Sequence, residues 1–169
     1  MNILYLYHVL QYFQLLYFYL GGMEMKVFGL AHIAIMAENY EETISFYTNL
    51  LQFKKAHHWS LEEYHIKEAC MLRSLDGQTY IEVFDKYASV PREGNKLKKQ
   101  NENIHGHVLH FALTVDSIKE VVAHLKHNNV KILNAYESLS LGQPVVEVVN
   151  AIIEGPNGEI IELLEPVKF

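Results

Sequence analysis

Two histidines and two glutamates recur in matched positions along this chain, and as a set they could bind a divalent cation. Residues 30–42, LAHIAIMAENYEE, can be laid on residues 108–120, VLHFALTVDSIKE, 78 positions later. Each stretch is a short apolar run with His at its third position and Ala two further on, then an acidic residue ahead of a helical pattern. Residues 75–85, LDGQTYIEVFD, lie in the same way on residues 155–165, GPNGEIIELLE, 80 positions later, each a glycine-bearing turn followed by a strand with Glu at its centre. His32 and Glu82 thus correspond to His110 and Glu162. Burying an unpaired carboxylate costs several kcal/mol, and doing so twice at equivalent positions calls for a compensating cation. Two neutral imidazoles and two carboxylates make a neutral set around M²⁺ that suits Zn, Ni, Co, Mn or Fe. Water or substrate would fill the remaining positions of an octahedral ion.

The elements that must position these groups follow from periodicity. Side chains alternate across a strand, so His32 shares a face with Ala34 and Met36, and Glu82 with Tyr80 and Phe84. By the same parity His110 goes with Ala112 and Thr114, and Glu162 with Ile160 and Leu164. Each half reads as strand, helix, then three strands, at about 28–36, 39–51, 53–59, 68–74 and 79–85, and at about 107–115, 117–128, 130–135, 145–154 and 159–165. Asn39 can cap the first helix, whose apolar stripe is Tyr40, Ile44, Tyr47 and Leu51. Asp116 or Ser117 caps the second, with Ile118, Val121, Val122 and Leu125 as its stripe. Asn157-Gly158 marks the turn between the last two strands. Residues 87–106, polar with Pro and Gly, read as a linker between module one (26–86) and module two (107–169).

Bulk properties bound the partners. A chain of 169 residues, half of them hydrophobic, is long enough for one domain or two small modules sharing a core. A formal charge of -6 and the lack of a basic face argue against a nucleic-acid partner. The single cysteine, Cys70, excludes an intramolecular disulfide and suits a reducing, cytoplasmic setting. Residues 1–25 stand apart as an apolar extension, and the first 22 carry no Lys, Arg, Asp or Glu. They lack the basic start and cleavage site of a signal peptide. Gln11, Gln14, His8 and several tyrosines weaken a membrane span, so membrane association is not expected. The other reading is an upstream stretch outside the working protein, with Met23 or Met25 as the start.

At these residues the chain resembles the vicinal oxygen chelate superfamily, which includes glyoxalase I, methylmalonyl-CoA epimerase, extradiol dioxygenases, fosfomycin resistance proteins and bleomycin-binding proteins. The likeness covers nearly everything from residue 28 to 166 and is carried by HIAI, SFYTNLLQF, YIEVFD, LHFAL and EGPNGEIIELLEP. It implies an α+β fold of two βαβββ modules whose mixed sheets curl into an open cleft, with the metal at its floor on His32, Glu82, His110 and Glu162. The donor set is most similar to that of bacterial glyoxalase I. That resemblance implies a metal-dependent lyase or isomerase that abstracts a proton next to a carbonyl and stabilises an enediolate on the metal, with Glu162 and Glu82 as the catalytic carboxylates. A racemase like methylmalonyl-CoA epimerase is the first alternative, and a small-molecule binding or resistance protein or a dioxygenase the second. The expected substrate is a 2-oxoaldehyde thiol adduct or a hydroxyketone, and the expected assembly a homodimer, because members often complete their clefts across two copies. Glutathione-dependent members carry Arg and Asn where this chain has Met36 and Lys86, which argues for a different thiol or none.

Other polar residues are expected to be bystanders. His57, His58 and His65 lie near the cleft strands, and His124 with His127 on the outer side of a helix. Arg73 could anchor an anionic group or form an edge ion pair. Lys96, Lys98 and Lys99 belong to the solvated linker. Residues 136–144, YESLSLGQP, read as a lid. Cys70 in an apolar strand is not a nucleophile.

Overall fold

A computed structural model describes residues 29–91 and 108–168. Every element below lies in the unit Ala31–Phe169. The expectations for the N-terminal extension and for Lys96, Lys98 and Lys99 fall outside the described residues. Among the described residues no helix is long and apolar enough to cross a membrane.

Module one begins with β1 (Ile33–Ala37), whose alternation turns Ile35 and Ala37 into the core. Asn39, in extended backbone, accepts the Glu42 N–H on its side chain at 3.3 Å and so starts α1 (Tyr40–Ser45). The predicted helix over 39–51 does not stay α-helical, because residues Phe46–Leu50 widen into a π turn. The Thr48 hydroxyl donates to the Ile44 carbonyl at 2.8 Å, and the Leu51 N–H reaches back to Phe46. The widened turn buries both Phe46 and Tyr47, which are neighbours in sequence. Three antiparallel strands follow, β2 (Lys54–Leu61), β3 (Ile66–Arg73) and β4 (Tyr80–Asp85), and β1 lies parallel to β4, giving the order β1-β4-β3-β2.

Module two repeats the plan. Its elements are β5 (Phe111–Thr114), α2 (Ile118–His127), β6 (Ile132–Leu141), β7 (Val146–Glu154) and β8 (Ile160–Leu164), in the order β5-β8-β7-β6. Ser117 caps α2 by accepting the Glu120 N–H at 3.3 Å, and Ile118, Val122 and Leu125 form its buried stripe. The lid expected at 136–144 is corrected here. Residues 136–141 continue β6, with Ser138 opposite Val149 and Leu139 opposite Val148. Pairing with β7 satisfies backbone groups there that a loop would leave to water.

One core joins the modules: Ile44, Tyr47, Leu72, Ile81 and Val83 pack in the same cluster as Ile118, Leu125, Ile153, Ile161 and Leu163. Each such side chain removed from water contributes about 1.5–3 kcal/mol. The β7–β8 turn adds a polar latch onto α1. Asn157 accepts the Glu38 N–H at 2.9 Å, and Glu159 accepts the Tyr47 hydroxyl at 2.8 Å and the Asn157 N–H at 2.8 Å. Burial, then the Glu159 charge, pushes the Tyr47 phenol far above its ordinary value, so it remains a donor throughout the working pH range. Among the described residues the β3–β4 turn has no such latch. A cavity of about 570 Å³ lies there, lined by Phe53, Leu75 and Thr79 from module one and by Ala112, Thr114 and Val121 from module two.

Candidate metal centre

Strand register sets the surroundings of each glutamate. In module one Glu82 lies opposite Ala34 on one side and Met71 on the other, while its strand neighbours Ile81 and Val83 turn into the core. Glu82 therefore projects from the sheet face turned away from the core. His32, just ahead of β1, brings Nε2 to 3.3 Å from the Glu82 carboxylate, and the small Ala34 leaves room for that approach. Module two repeats this. Glu162 lies opposite Ala112 and Ile152, and His110 brings Nε2 to 3.4 Å from its carboxylate. Even exposure is matched, at 42% and 16% for His32 and Glu82 against 43% and 17% for His110 and Glu162.

The donor chemistry fits a divalent cation. Each pair offers one imidazole nitrogen and one carboxylate on a partly dehydrated surface, and among the described residues no Lys or Arg forms an ion pair with Glu82 or Glu162. The two pairs do not meet within the chain. Among the described residues no three His, Cys, Asp or Glu side chains converge as a metal cluster would. One chain thus carries two separate His–Glu pairs, His32 with Glu82 and His110 with Glu162, each beside its own sheet.

The pairs differ in one respect that the sequence reading missed. Asn150 on β7, more than nine-tenths buried, donates from Nδ2 to Glu162 Oε1 at 2.7 Å, and its Oδ1 is buried without a partner. The available signal was an amide inside the otherwise apolar run VVNAII.

The remaining polar residues fall out as follows. His57 stacks on Trp59 at 5.7 Å between ring centroids, and Trp59 meets Phe84 edge-on at 6.2 Å, forming an aromatic end to the Glu82 face. His58 lies opposite Cys70 on the other parity, and His65 occupies a left-handed turn position. His124 and His127 are exposed on the last turn of α2. Arg73 is exposed on the Glu82 face and has no ion pair among the described residues. Burial pushes the Cys70 thiol up against smaller opposing effects of Lys55 and Tyr40, which keeps it protonated and unreactive.

These observations define a duplicated βαβββ fold with a His–Glu pair on each sheet. A sequence model of the Glyoxalase/Bleomycin resistance protein/Dioxygenase superfamily matches residues 29–163, and the chain belongs to that superfamily. Solved structures share the fold. The glyoxalase family protein from Bacillus cereus is 18% identical with a TM-score of 0.62, covering 85% of this chain and 97% of that one. The glyoxalase family protein from Enterococcus faecalis is 22% identical with a TM-score of 0.59, covering 83% and 100%. The trypanothione-dependent glyoxalase I of Leishmania major is 20% identical with a TM-score of 0.54, covering 82% and 87%. No curated protein sequence matches the chain.

Proposed function

We propose that the protein is a metal-dependent lyase or isomerase of the glyoxalase I kind, acting on a 2-hydroxyketone or a 2-oxoaldehyde thiol adduct at a centre shared between two copies. The observation that carries this reading is the duplicated His–Glu pair, repeated to within about a tenth of an ångström at 3.3 and 3.4 Å. His32 and Glu82 of one copy would face His110 and Glu162 of the second, giving two equivalent centres related by a two-fold axis. The sheet order supports this assembly. β1 and β5 each pair on one side only among the described residues, and they are the strands that the two histidines adjoin.

When bound, the cation would supply Lewis-acid stabilisation to negative charge developing on two adjacent substrate oxygens. The protein's own groups do the rest. His32 and His110 hold donor nitrogens just ahead of β1 and β5, and a glutamate beside the reacting carbon would take its proton and return it to the neighbouring one. Met36 on the Glu82 face and Lys86, already paired with Glu38 at 3.5 Å, leave no obvious grip for the carboxylates of glutathione, which favours another thiol or none. Cys70, buried and single, suits a reducing compartment such as the cytoplasm.

The test is metal content followed by isotope exchange. Protein purified without chelators should carry a transition metal, and Glu82→Gln or Glu162→Gln should lower its affinity by about tenfold or more. In D₂O the loaded protein should place deuterium in the product of hydroxyketones or thiol adducts. Tight binding without exchange would make it a binding or resistance protein, and oxygen uptake with catechols a dioxygenase. Label returned to the original carbon would make it an epimerase.

A further inference from the structure

Glu82 and Glu162 occupy equivalent places but are held differently. Asn150 lies opposite Leu164, two residues beyond Glu162, just as Ala69 lies opposite Phe84, two residues beyond Glu82. Where module one has a buried alanine, module two has a buried amide bonded to the carboxylate at 2.7 Å. The orientation of that amide is chemically fixed, since reversing it would set Oδ1 against a carboxylate oxygen. The cost is visible at its other end, where Oδ1 has no hydrogen-bond partner. Among the described contacts the fold makes no other use of this side chain, and its neighbours Val148 and Ala151 are buried and apolar.

We infer that Asn150 is a positioning residue for the metal centre, an inference that rests on the metal-dependent reading above. By occupying Oε1 of Glu162 it leaves Oε2, the oxygen beside His110, as the one presented to a cation. Among the described residues Glu82 has no such clamp, and alanine stands in the clamp's place. The two glutamates therefore serve unequally: Glu162 is a fixed single-oxygen ligand, and Glu82 is the carboxylate with freedom to shift. Carboxylate ligands are commonly held in this way by outer hydrogen bonds, and losing one weakens binding by about 10- to 100-fold.

The experiment titrates Co²⁺ and Zn²⁺ into the metal-free full-length protein and into Asn150→Leu and Asn150→Ala, with Asn150→Ser in reserve should either fail to fold. Affinity should fall about tenfold or more and the Co²⁺ absorption bands should change, with thermal unfolding of the metal-free variants read alongside because they lose both the orphaned acceptor and the bond to Glu162. In a Glu162→Ala background the same substitutions should alter affinity by less than about twofold, since their partner is already lost. Wild-type affinity and spectrum in variants of reduced thermal stability would overturn the inference and make Asn150 merely structural. So would an undiminished loss in the Glu162→Ala background. If the wild-type protein itself takes up neither ion, the metal-centre reading has failed rather than the role of Asn150 within it.

Discussion

Asp85 shows how a single side chain at the end of a site-bearing strand can stabilise its sheet. Its carboxylate accepts the backbone N–H groups of Lys67 and Glu68 at 2.8 Å each and of Tyr87 at 2.7 Å. Burial raises its pKa, but those N–H bonds outweigh the effect and hold it below the usual carboxylate range. A folded pKa below the unfolded one means the stabilisation is present above the ordinary value of about 3.9 and is lost as pH falls through the folded value. Asp85→Asn should therefore cost about 1–3 kcal/mol at neutral pH, and urea unfolding should show the gap to wild type closing as pH falls below the ordinary carboxylate value. An undiminished gap in acid would assign the effect to packing instead. The four candidate ligands were legible in the sequence because the repeat placed each on a strand of known parity. Asn150 was not legible, because one amide in an apolar strand carries no period, and only the register with β8 shows that it reaches Glu162.

At the scale of elements, the β7–β8 hairpin joins module two to α1, and Gly155 is where it is tightest. A Cβ there would collide with the Glu159 side chain. A free glutamate could swing aside, but this one is tied to the Tyr47 hydroxyl and the Asn157 N–H. Gly155→Ala should thus destabilise the protein by about 1–3 kcal/mol, and Tyr47→Phe should relieve part of that penalty, because it frees Glu159 to move. Additive losses in thermal unfolding of the double variant would refute this coupling. The hairpin itself was foreseeable from Asn157-Gly158, and the strand–helix–three-strand order from alternation and helical spacing. Two element-scale features were not. The π turn at Phe46–Leu50 depends on tertiary demand for both Phe46 and Tyr47 in the core, and the length of β6 depends on pairing with β7, since YESLSL has the polarity of a loop.

For the whole molecule, the proposed shared centre makes a prediction that no intramolecular site could satisfy. One variant, His32→Ala with Glu82→Gln, loses the first half-site, and another, His110→Ala with Glu162→Gln, loses the second. Each alone should bind no transition metal. Mixed in equal amounts and allowed to exchange subunits, they should regain about a quarter of the wild-type sites, since half the dimers are mixed and each of those rebuilds one of its two centres. No recovery after verified subunit exchange would confine the centre to a single chain. The resemblance of the sequence to its superfamily conveyed the module plan, yet no periodicity within a chain tells whether its halves close on themselves or on another copy. Among the described residues β1 and β5 each have a strand neighbour on one side only, and under the proposed assembly a second copy would cover both edges. Metal scarcity and dilution would then act in one direction, so the conditions that empty the proposed centre would also uncover strand edges that other chains could join.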